Sequence, residues 1–184
     1  MESINILGTG CAMVELPSKA DEVLKDKEVI QKFASKTYMQ KDMFFLGRGL
    51  DFAVAMEGSL KLKEITYIHS EAYPGGELKH GPIALIENGT IVLALATQKN
   101  LFDKMMSNIK EVKTRGANVL GFALSGNTEI EKTVDSALYC PQTHQILAPV
   151  LSVIPLQLFS YYIATMKGCD VDKPRNLAKS VTVE

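Results

Sequence analysis

The densest group of side chains that could carry out chemistry lies between residues 57 and 80. Glu57, Lys61 and Glu64 are spaced at i, i+4 and i+7, which places all three on one face of a helix. Such a stripe suits acid–base chemistry, because two carboxylates and an ammonium group can bind a polar substrate and move its protons. The same spacing also fits a plain solvated ion pair between Glu57 and Lys61, and spacing alone favours that simpler interpretation.

A second candidate is His80, which lies in a segment rich in ionisable groups and turn residues. Gly75-Gly76 precedes it and Gly81-Pro82 follows it, so turns are predicted on both sides. A histidine held between turns is well placed for proton transfer, because imidazole titrates near physiological pH. A solvated surface histidine is the alternative interpretation.

Two later segments also hold candidate groups. The tail, residues 170–184, carries Lys179 and shows no helical or alternating period before Ser180, as is typical of a fraying terminus. The run from Ser125 to Thr128, Ser-Gly-Asn-Thr, could hold an anion through hydroxyl and backbone N–H groups. A plain turn is the simpler interpretation of that run.

The elements that must position these residues follow a strand-then-helix alternation. Four short apolar runs predict strands, at residues 43–46, 90–96, 118–124 and 136–140. Helical patterns cover residues 52–65, 101–114 and 146–166. Continuous apolar strands separated by helices indicate strands that are covered on both faces. The predicted fold class is therefore α/β, a doubly wound parallel sheet of four to five strands flanked by helices.

The predicted topology also indicates where ligands would bind. In open α/β sheets, ligands bind beyond the carboxyl ends of the strands, at a topological switch point. Functional loops are therefore expected near residues 47–50, 98–100 and 125–128.

The first fifteen residues are a lead whose structure the pattern does not decide. Residues 4–10 could form a short strand with a glycine turn, or a disordered segment. Their Gly-Thr-Gly is too short for a dinucleotide fingerprint, and no cofactor is predicted.

Composition excludes several classes of function. The 184 residues carry 20 Lys and Arg against 21 Asp and Glu, which argues against a basic nucleic-acid face or electrostatic membrane binding. The three cysteines are widely separated, and no signal peptide is evident, so we expect reduced thiols and a cytoplasmic protein. The histidines do not cluster with the cysteines at ligand spacing, so no metal site is predicted.

One segment resembles a membrane span. Residues 146–166 contain no charged side chain and could cross a bilayer as a helix. Gln157 and several hydroxyl groups would then lie in the membrane without partners. We therefore predict a helix that is packed on all sides in the core, starting near Pro149 and stopping at Gly168.

Several runs together resemble a known family, the glucosamine-6-phosphate synthases (glutamine–fructose-6-phosphate aminotransferases). The runs at residues 46–49, 57–64, 71–73 and 76–82 are similar to the second sugar-isomerase (SIS) half of that family. Residues 170–184 resemble its C-terminus almost residue for residue. The resemblance covers about residues 16–184, leaves residues 1–15 unmatched, and implies an SIS fold with flavodoxin-like strand order.

The resemblance also implies a chemistry. Members of the family convert fructose 6-phosphate and glutamine-derived ammonia into glucosamine 6-phosphate. The matching positions give His80 the acid–base role in ring opening and Lys179 the capture of the open-chain ketose as an imine. Only a neutral amine attacks, so this lysine must be desolvated or lie near other cations. Glu64 would move the proton in the ketose-to-aldose step.

The remaining implied roles concern binding and assembly. Lys61 and Glu57 match residues that position the sugar and assist proton transfer, and Ala178 matches a backbone contact to the sugar. The resemblance implies a homodimer in which His80 serves the neighbouring subunit's site. The family's glutaminase domain and first SIS half are missing from this sequence, and Cys11 is not the glutaminase nucleophile, so we expect this chain alone to be inactive.

The alternative function is a non-catalytic module that binds sugar phosphates. The presence of both Lys179 and Glu64 argues against it, because binding alone requires neither an imine-forming amine nor a carbonyl-adjacent base.

Overall fold

The computed structural model describes residues 6–177, with side chains from residue 10 onward. Five strands form one sheet: β1 Asp42–Gly47, β2 His69–Pro74, β3 Ile91–Ala96, β4 Asn118–Leu124 and β5 Ser136–Cys140. Their spatial order is β2-β1-β3-β4-β5, and every neighbouring pair is parallel. This is the flavodoxin-like order of doubly wound sheets, so the predicted fold class is confirmed.

Six helices surround the sheet: α1 Ile6–Val14, α2 Leu16–Val23, α3 Lys27–Thr37, α4 Leu50–Thr66, α5 Phe102–Lys113 and α6 Ala148–Met166. Side chains of α3, α4 and α6 pack on one face of the sheet, and side chains of α5 pack on the other. Successive strand residues serve opposite faces, as Phe45 and Phe44 do on β1. Both faces are therefore buried, which explains the continuous apolar runs.

The four predicted strands are confirmed to within one residue at each end, and β2 is the additional strand. It lies at the edge of the sheet and pairs with β1 alone. Its first residue, His69, is exposed, and the last four residues are only partly buried. An edge strand needs fewer apolar side chains than a central one, which is why its ionisable sequence did not indicate a strand.

The expectation of a strand or a disordered segment in the lead is wrong over residues 6–14, which form α1. A helix pairs most of its N–H and C=O groups within the segment itself, whereas a short strand would need a neighbouring sheet edge. The first five residues lie outside the described part of the chain.

The apolar segment at residues 146–166 forms α6, with Pro149 in its first turn and Gly168 just beyond its end, as predicted. Its inner face, including Leu151, Leu156 and Phe159, lies in the core. The prediction that it is packed on all sides is wrong, because Val150 and Tyr161 are exposed. One face of the sheet can cover only one side of a helix that lies in the outer layer.

Within residues 6–177, one helical stretch, Gln145–Met166, is long and apolar enough to span a membrane, and 44% of its most apolar window is buried inside the protein. The core helix of a soluble protein meets the same test of length and composition.

Candidate functional site

The switch point of the sheet lies between β1 and β3. The chain leaves β1 to form β2 on one side and returns to form β3 on the other, so the carboxyl ends of β1 and β3 border a crevice. Gly47 ends β1 and leads into α4 within three residues. A Cβ atom on Gly47 would lie 2.4 Å from the backbone carbonyl of Asp51, so only glycine allows this tight turn.

A buried carboxylate joins the two sides of the switch point. Asp51 is 2% exposed. It accepts hydrogen bonds from the backbone N–H and the hydroxyl of Thr97, at 2.7 and 2.5 Å, and from the N–H of Gln98 at 3.3 Å. Burial raises the pKa of the Asp51 carboxyl, and these hydrogen bonds partly offset that effect.

Asp51 is absent from the residues that the sequence analysis singled out. The signal that could have identified it is an acidic residue in the first turn of a helix, directly after a glycine loop, where a carboxylate is favoured by the helix dipole. Its partners could not be identified from the sequence, because they depend on β3 lying next to β1.

A second, partly buried contact holds the loop that leads to His80. Arg48 Nε donates a hydrogen bond to Asn108 Oδ1 at 2.9 Å. A Cβ atom on Gly75 would lie 2.6 Å from that amide oxygen, and one on Gly76 would lie 3.0 Å from the Arg48 guanidinium. The two glycines therefore let the chain after β2 pack closely over this pair.

The stripe of ionisable residues on α4 is confirmed as one helical segment, although its ion pair differs from the predicted one. Lys61 Nζ lies 2.5 Å from Glu64 Oε2, and the two side chains are 33% and 27% exposed. The expected pairing with Glu57 is wrong, because the i, i+3 contact forms in place of the i, i+4 contact. Glu57 is partly buried one turn earlier on α4.

Gly58 allows the stripe on α4 to lie close to the sheet and to α6. A Cβ atom on Gly58 would lie 2.6 Å from Leu156 on α6 and 3.1 Å from the Phe45 ring on β1. The absence of a side chain therefore allows α4 to approach both the sheet and α6. The positions of Glu57 and Lys61 depend on this close packing.

Residues 175–177 of the tail lie beside Glu64. A groove of about 500 Å³ is lined by Leu60 and Glu64 of α4, by Tyr67 just after that helix, and by residues 175–177 of the tail. The backbone N–H of Arg175 donates a hydrogen bond to Tyr67 Oη at 3.0 Å. Ala178 and Lys179 lie outside the described residues.

His80 belongs to a different set of contacts from the Lys61–Glu64 ion pair. It ends a short 3-10 turn, Leu78–His80, and Gly81 follows with φ of +147°. Its side chain is 74% exposed, and Nε2 lies 3.9 Å from Glu77 Oε2. Among the hydrogen bonds and ion pairs of residues 6–177, none joins His80 to Lys61 or Glu64.

The run from Ser125 to Thr128 forms a turn at the carboxyl end of β4. Asn127 N–H donates to Leu124 O at 3.0 Å, and Gly126 has φ of +91°. A 3-10 segment, Thr128–Lys132, follows in place of an α-helix. The helix N-terminus that would favour an anion is therefore not formed here.

Residues 6–177 contain no group of three or more His, Cys, Asp or Glu side chains placed to hold a metal ion.

Comparison with known proteins gives a consistent set of matches. A family model described as the SIS domain matches residues 37–167. The glutamine–fructose-6-phosphate aminotransferase [isomerizing] of Clostridium tetani is 68% identical over 172 residues, which cover 94% of this chain and 28% of that protein. The enzyme of the same name from Caldanaerobacter subterraneus subsp. tengcongensis is 62% identical over 184 residues, which cover 100% of this chain and 30% of that protein.

The second of these alignments includes the first fifteen residues. The chain spans less than a third of the length of these two relatives.

Solved structures agree with these relatives. The C-terminal domain of glucosamine-fructose-6-phosphate aminotransferase from Francisella tularensis has a TM-score of 0.80 and 40% identity, and the match covers 85% of this chain and 44% of that one. A glucosamine-6-phosphate deaminase from Thermotoga maritima has a TM-score of 0.67 and 27% identity, and the match covers 87% of this chain and 48% of that one.

Proposed function

Because the chain belongs to the SIS-domain family, we propose that it forms the C-terminal sugar-isomerase part of an enzyme that makes glucosamine 6-phosphate. The substrates are fructose 6-phosphate and glutamine-derived ammonia, as the names of the relatives suggest. Residues 16–184 form the SIS unit in this proposal, residues 170–184 are its catalytic tail, and residues 1–15 are a lead. The enzyme is cytoplasmic.

The observation that carries the proposal is the groove beside Glu64. It brings together a carboxylate on α4 and the segment that leads to Lys179, although Tyr67 and Arg175, which make the contact, are 108 residues apart. A carboxylate and an amine at one site are the two groups that a ketose-to-aldose conversion through an imine requires. A surface ion pair with no function would not explain why the tail lies there.

The proposed reaction starts with ring opening, in which His80 transfers the proton between the ring oxygen and the anomeric hydroxyl. The neutral Lys179 amine then attacks the C2 carbonyl, and water leaves as the imine forms. Ammonia adds to the same carbon and displaces the lysine, so that the new nitrogen stays on C2. Glu64 takes a proton from C1 and returns it to C2, while the proton of the C1 hydroxyl passes to the nitrogen, which leaves an aldehyde at C1 and an amine at C2.

The other predicted residues bind and orient the sugar. Lys61 holds the Glu64 carboxylate through the ion pair and, with Glu57, contacts the substrate hydroxyls. Ala178 contributes a backbone contact. We further propose a homodimer in which His80 serves the site of the partner subunit, and the exposure of this imidazole supports that arrangement.

The test is to join this chain to the glutaminase and first SIS parts of the Clostridium tetani relative and to assay glucosamine 6-phosphate. We expect turnover by the chimera and none by this chain alone. Borohydride reduction in the presence of fructose 6-phosphate is expected to leave a covalent sugar adduct on Lys179, identified by mass spectrometry.

Two variants make the test specific. Lys179→Ala is expected to lose the adduct and the activity, whereas the control Lys132→Ala, at an exposed lysine outside the tail, keeps both. If the chimera binds the sugar reversibly and no adduct forms on Lys179, the chain is a non-catalytic binding module and the proposed function is wrong.

A further inference from the structure

Tyr67 has an unusual backbone conformation at the end of α4. It is the residue that follows the last helical position, with φ of +62° and ψ of +17°, and its N–H donates to Lys63 O. Helices commonly end in this left-handed conformation, but the residue is usually glycine, because a Cβ atom crowds the neighbouring carbonyl. A tyrosine at this position suggests that its side chain serves a purpose that outweighs the backbone strain.

The side chain of Tyr67 makes two separate contacts with one residue of the tail. Its Oη accepts a hydrogen bond from the backbone N–H of Arg175 at 3.0 Å. Its ring lies under the Arg175 guanidinium, whose central carbon is 4.0 Å from the ring centre, a cation–π distance. The tail is therefore held through both the backbone and the side chain of Arg175.

The chain turns directly after that anchor. Asn176 also has a left-handed backbone, with φ of +61°, which asparagine tolerates better than most residues. Leu177 then lines the same groove as Leu60 and Glu64. The turn therefore directs the tail along α4, towards the carboxylate that we propose as the proton shuttle.

The spacing along α4 connects the anchor to the chemistry. Tyr67 follows Glu64 by three residues, so the two side chains lie about one helical turn apart. Lys179 follows Leu177 by two residues, and two extended residues span at most about 7 Å. Fixing Arg175 on Tyr67 therefore limits the volume that the amine can reach.

We propose that Tyr67 is a positioning residue that docks the C-terminal tail on the end of α4 and so places Lys179 at the site. This inference rests on the proposed function and deepens it. Tyr67 itself does not touch the substrate; it acts through Arg175 and the turn at Asn176.

Two substitutions separate the two contacts. Tyr67→Phe removes the hydrogen-bond acceptor and keeps the ring. Tyr67→Gly removes both contacts and also relieves the left-handed backbone, so it is expected to keep or raise the melting temperature. Tyr161→Phe, on the exposed face of α6, is the matched control.

The first measurement is NMR on this chain and does not depend on activity. The ring of Tyr67 is expected to shift the Arg175 side-chain protons upfield in the wild type and in Tyr67→Phe, but not in Tyr67→Gly. Exchange of the Arg175 amide is expected to accelerate about threefold to tenfold in Tyr67→Phe, since a net hydrogen bond is lost, and at least as much in Tyr67→Gly.

The second measurement is kinetics on the chimera. Tyr67→Gly is expected to lower kcat at least about tenfold, because a small displacement of a reacting group costs that much or more, while the melting temperature does not fall. Unchanged Arg175 shifts and exchange in Tyr67→Gly, or an unchanged kcat, would overturn the inference. If Lys179→Ala keeps full activity, the proposed function fails instead, and the NMR result still reports whether Tyr67 docks the tail.

Discussion

The Asp51 carboxylate accepts a hydrogen bond from the backbone N–H of Thr97 at 2.7 Å, across the switch point of the sheet. The contact ties the first turn of α4 to the carboxyl end of β3, although the two residues are 46 positions apart. Since α4 also carries Glu57, Lys61 and Glu64, this buried carboxylate fixes the start of the helix on which the proposed site is built.

The pKa shift of Asp51 predicts a pH dependence of stability. The folded-state pKa is raised above 3.8, so the folded protein binds more protons than the unfolded chain between that value and the raised pKa. Protonation of Asp51 therefore stabilises the folded protein. This stabilisation is fully present below pH 3.8 and is lost as pH rises through the folded-state pKa of Asp51. Urea unfolding at several pH values will measure it.

Asp51→Asn removes the pH-dependent stabilisation by this carboxyl group. The difference in unfolding free energy between wild type and variant is therefore expected to change between pH 3.8 and the raised pKa of Asp51. The matched control is Asp103→Asn, at the same position in the first turn of α5 but exposed. Parallel pH profiles for wild type and Asp51→Asn would contradict the prediction.

Glu64→Gln tests the proton shuttle in the chimera. The amide keeps the shape of the side chain but cannot accept the proton from C1, so kcat is expected to fall by about 10²–10⁴. The borohydride adduct on Lys179 is expected to persist, because imine formation precedes the step that is blocked. Glu129→Gln, an exposed glutamate, is the control, and a Glu64→Gln variant with normal kcat would show that another group moves the proton.

Lys61→Gln distinguishes a structural ion pair from a functional one. Both partners are about a third exposed, so breaking the pair is expected to lower the free energy of unfolding by less than about 0.5 kcal/mol. Activity of the chimera is expected to fall at least about tenfold, since the carboxylate loses the group that orients it. Urea unfolding and steady-state kinetics on the same variant measure the two effects. Normal activity of Lys61→Gln would show that the ion pair has only a structural role.

Gly47→Ala tests the tight turn into α4. The added Cβ atom would lie 2.4 Å from the Asp51 carbonyl, and backbone must move to accept it. We expect a loss of about 3 kcal/mol in the free energy of unfolding, typical of a severe core clash. Gly10→Ala is the control: among the described residues, no atom outside its own stretch of helix lies within 4 Å of the added Cβ, and within α1 the change is expected to be neutral or to stabilise by roughly 0.5–1 kcal/mol.

The sequence was sufficient for the parts of the fold that depend on burial on both faces. The runs that became β1, β3, β4 and β5 are continuously apolar because helices cover both sides of the sheet. The edge strand β2 carries ionisable residues and shows no such signal. Periodicity therefore predicted the centre of the sheet and not its edge.

For the proposed site, the sequence predicted the helical stripe and not the contacts within it. The spacing of Glu57, Lys61 and Glu64 predicted one helical stripe, but the choice between i+3 and i+4 pairing depends on side-chain conformations. The docking of Arg175 on Tyr67 joins two distant parts of the chain, and no local pattern marks either residue. Contacts of this kind become visible only when the strand order is known.

The separation of 108 residues between Tyr67 and Arg175 has a consequence for biosynthesis. A ribosome makes α4 long before it makes the segment that covers the groove, and domains form as units while the chain emerges. The sheet and its flanking layers can assemble first, with the Glu64 groove still open to water. The proposed reaction centre is therefore completed only after the scaffold that receives the tail has formed.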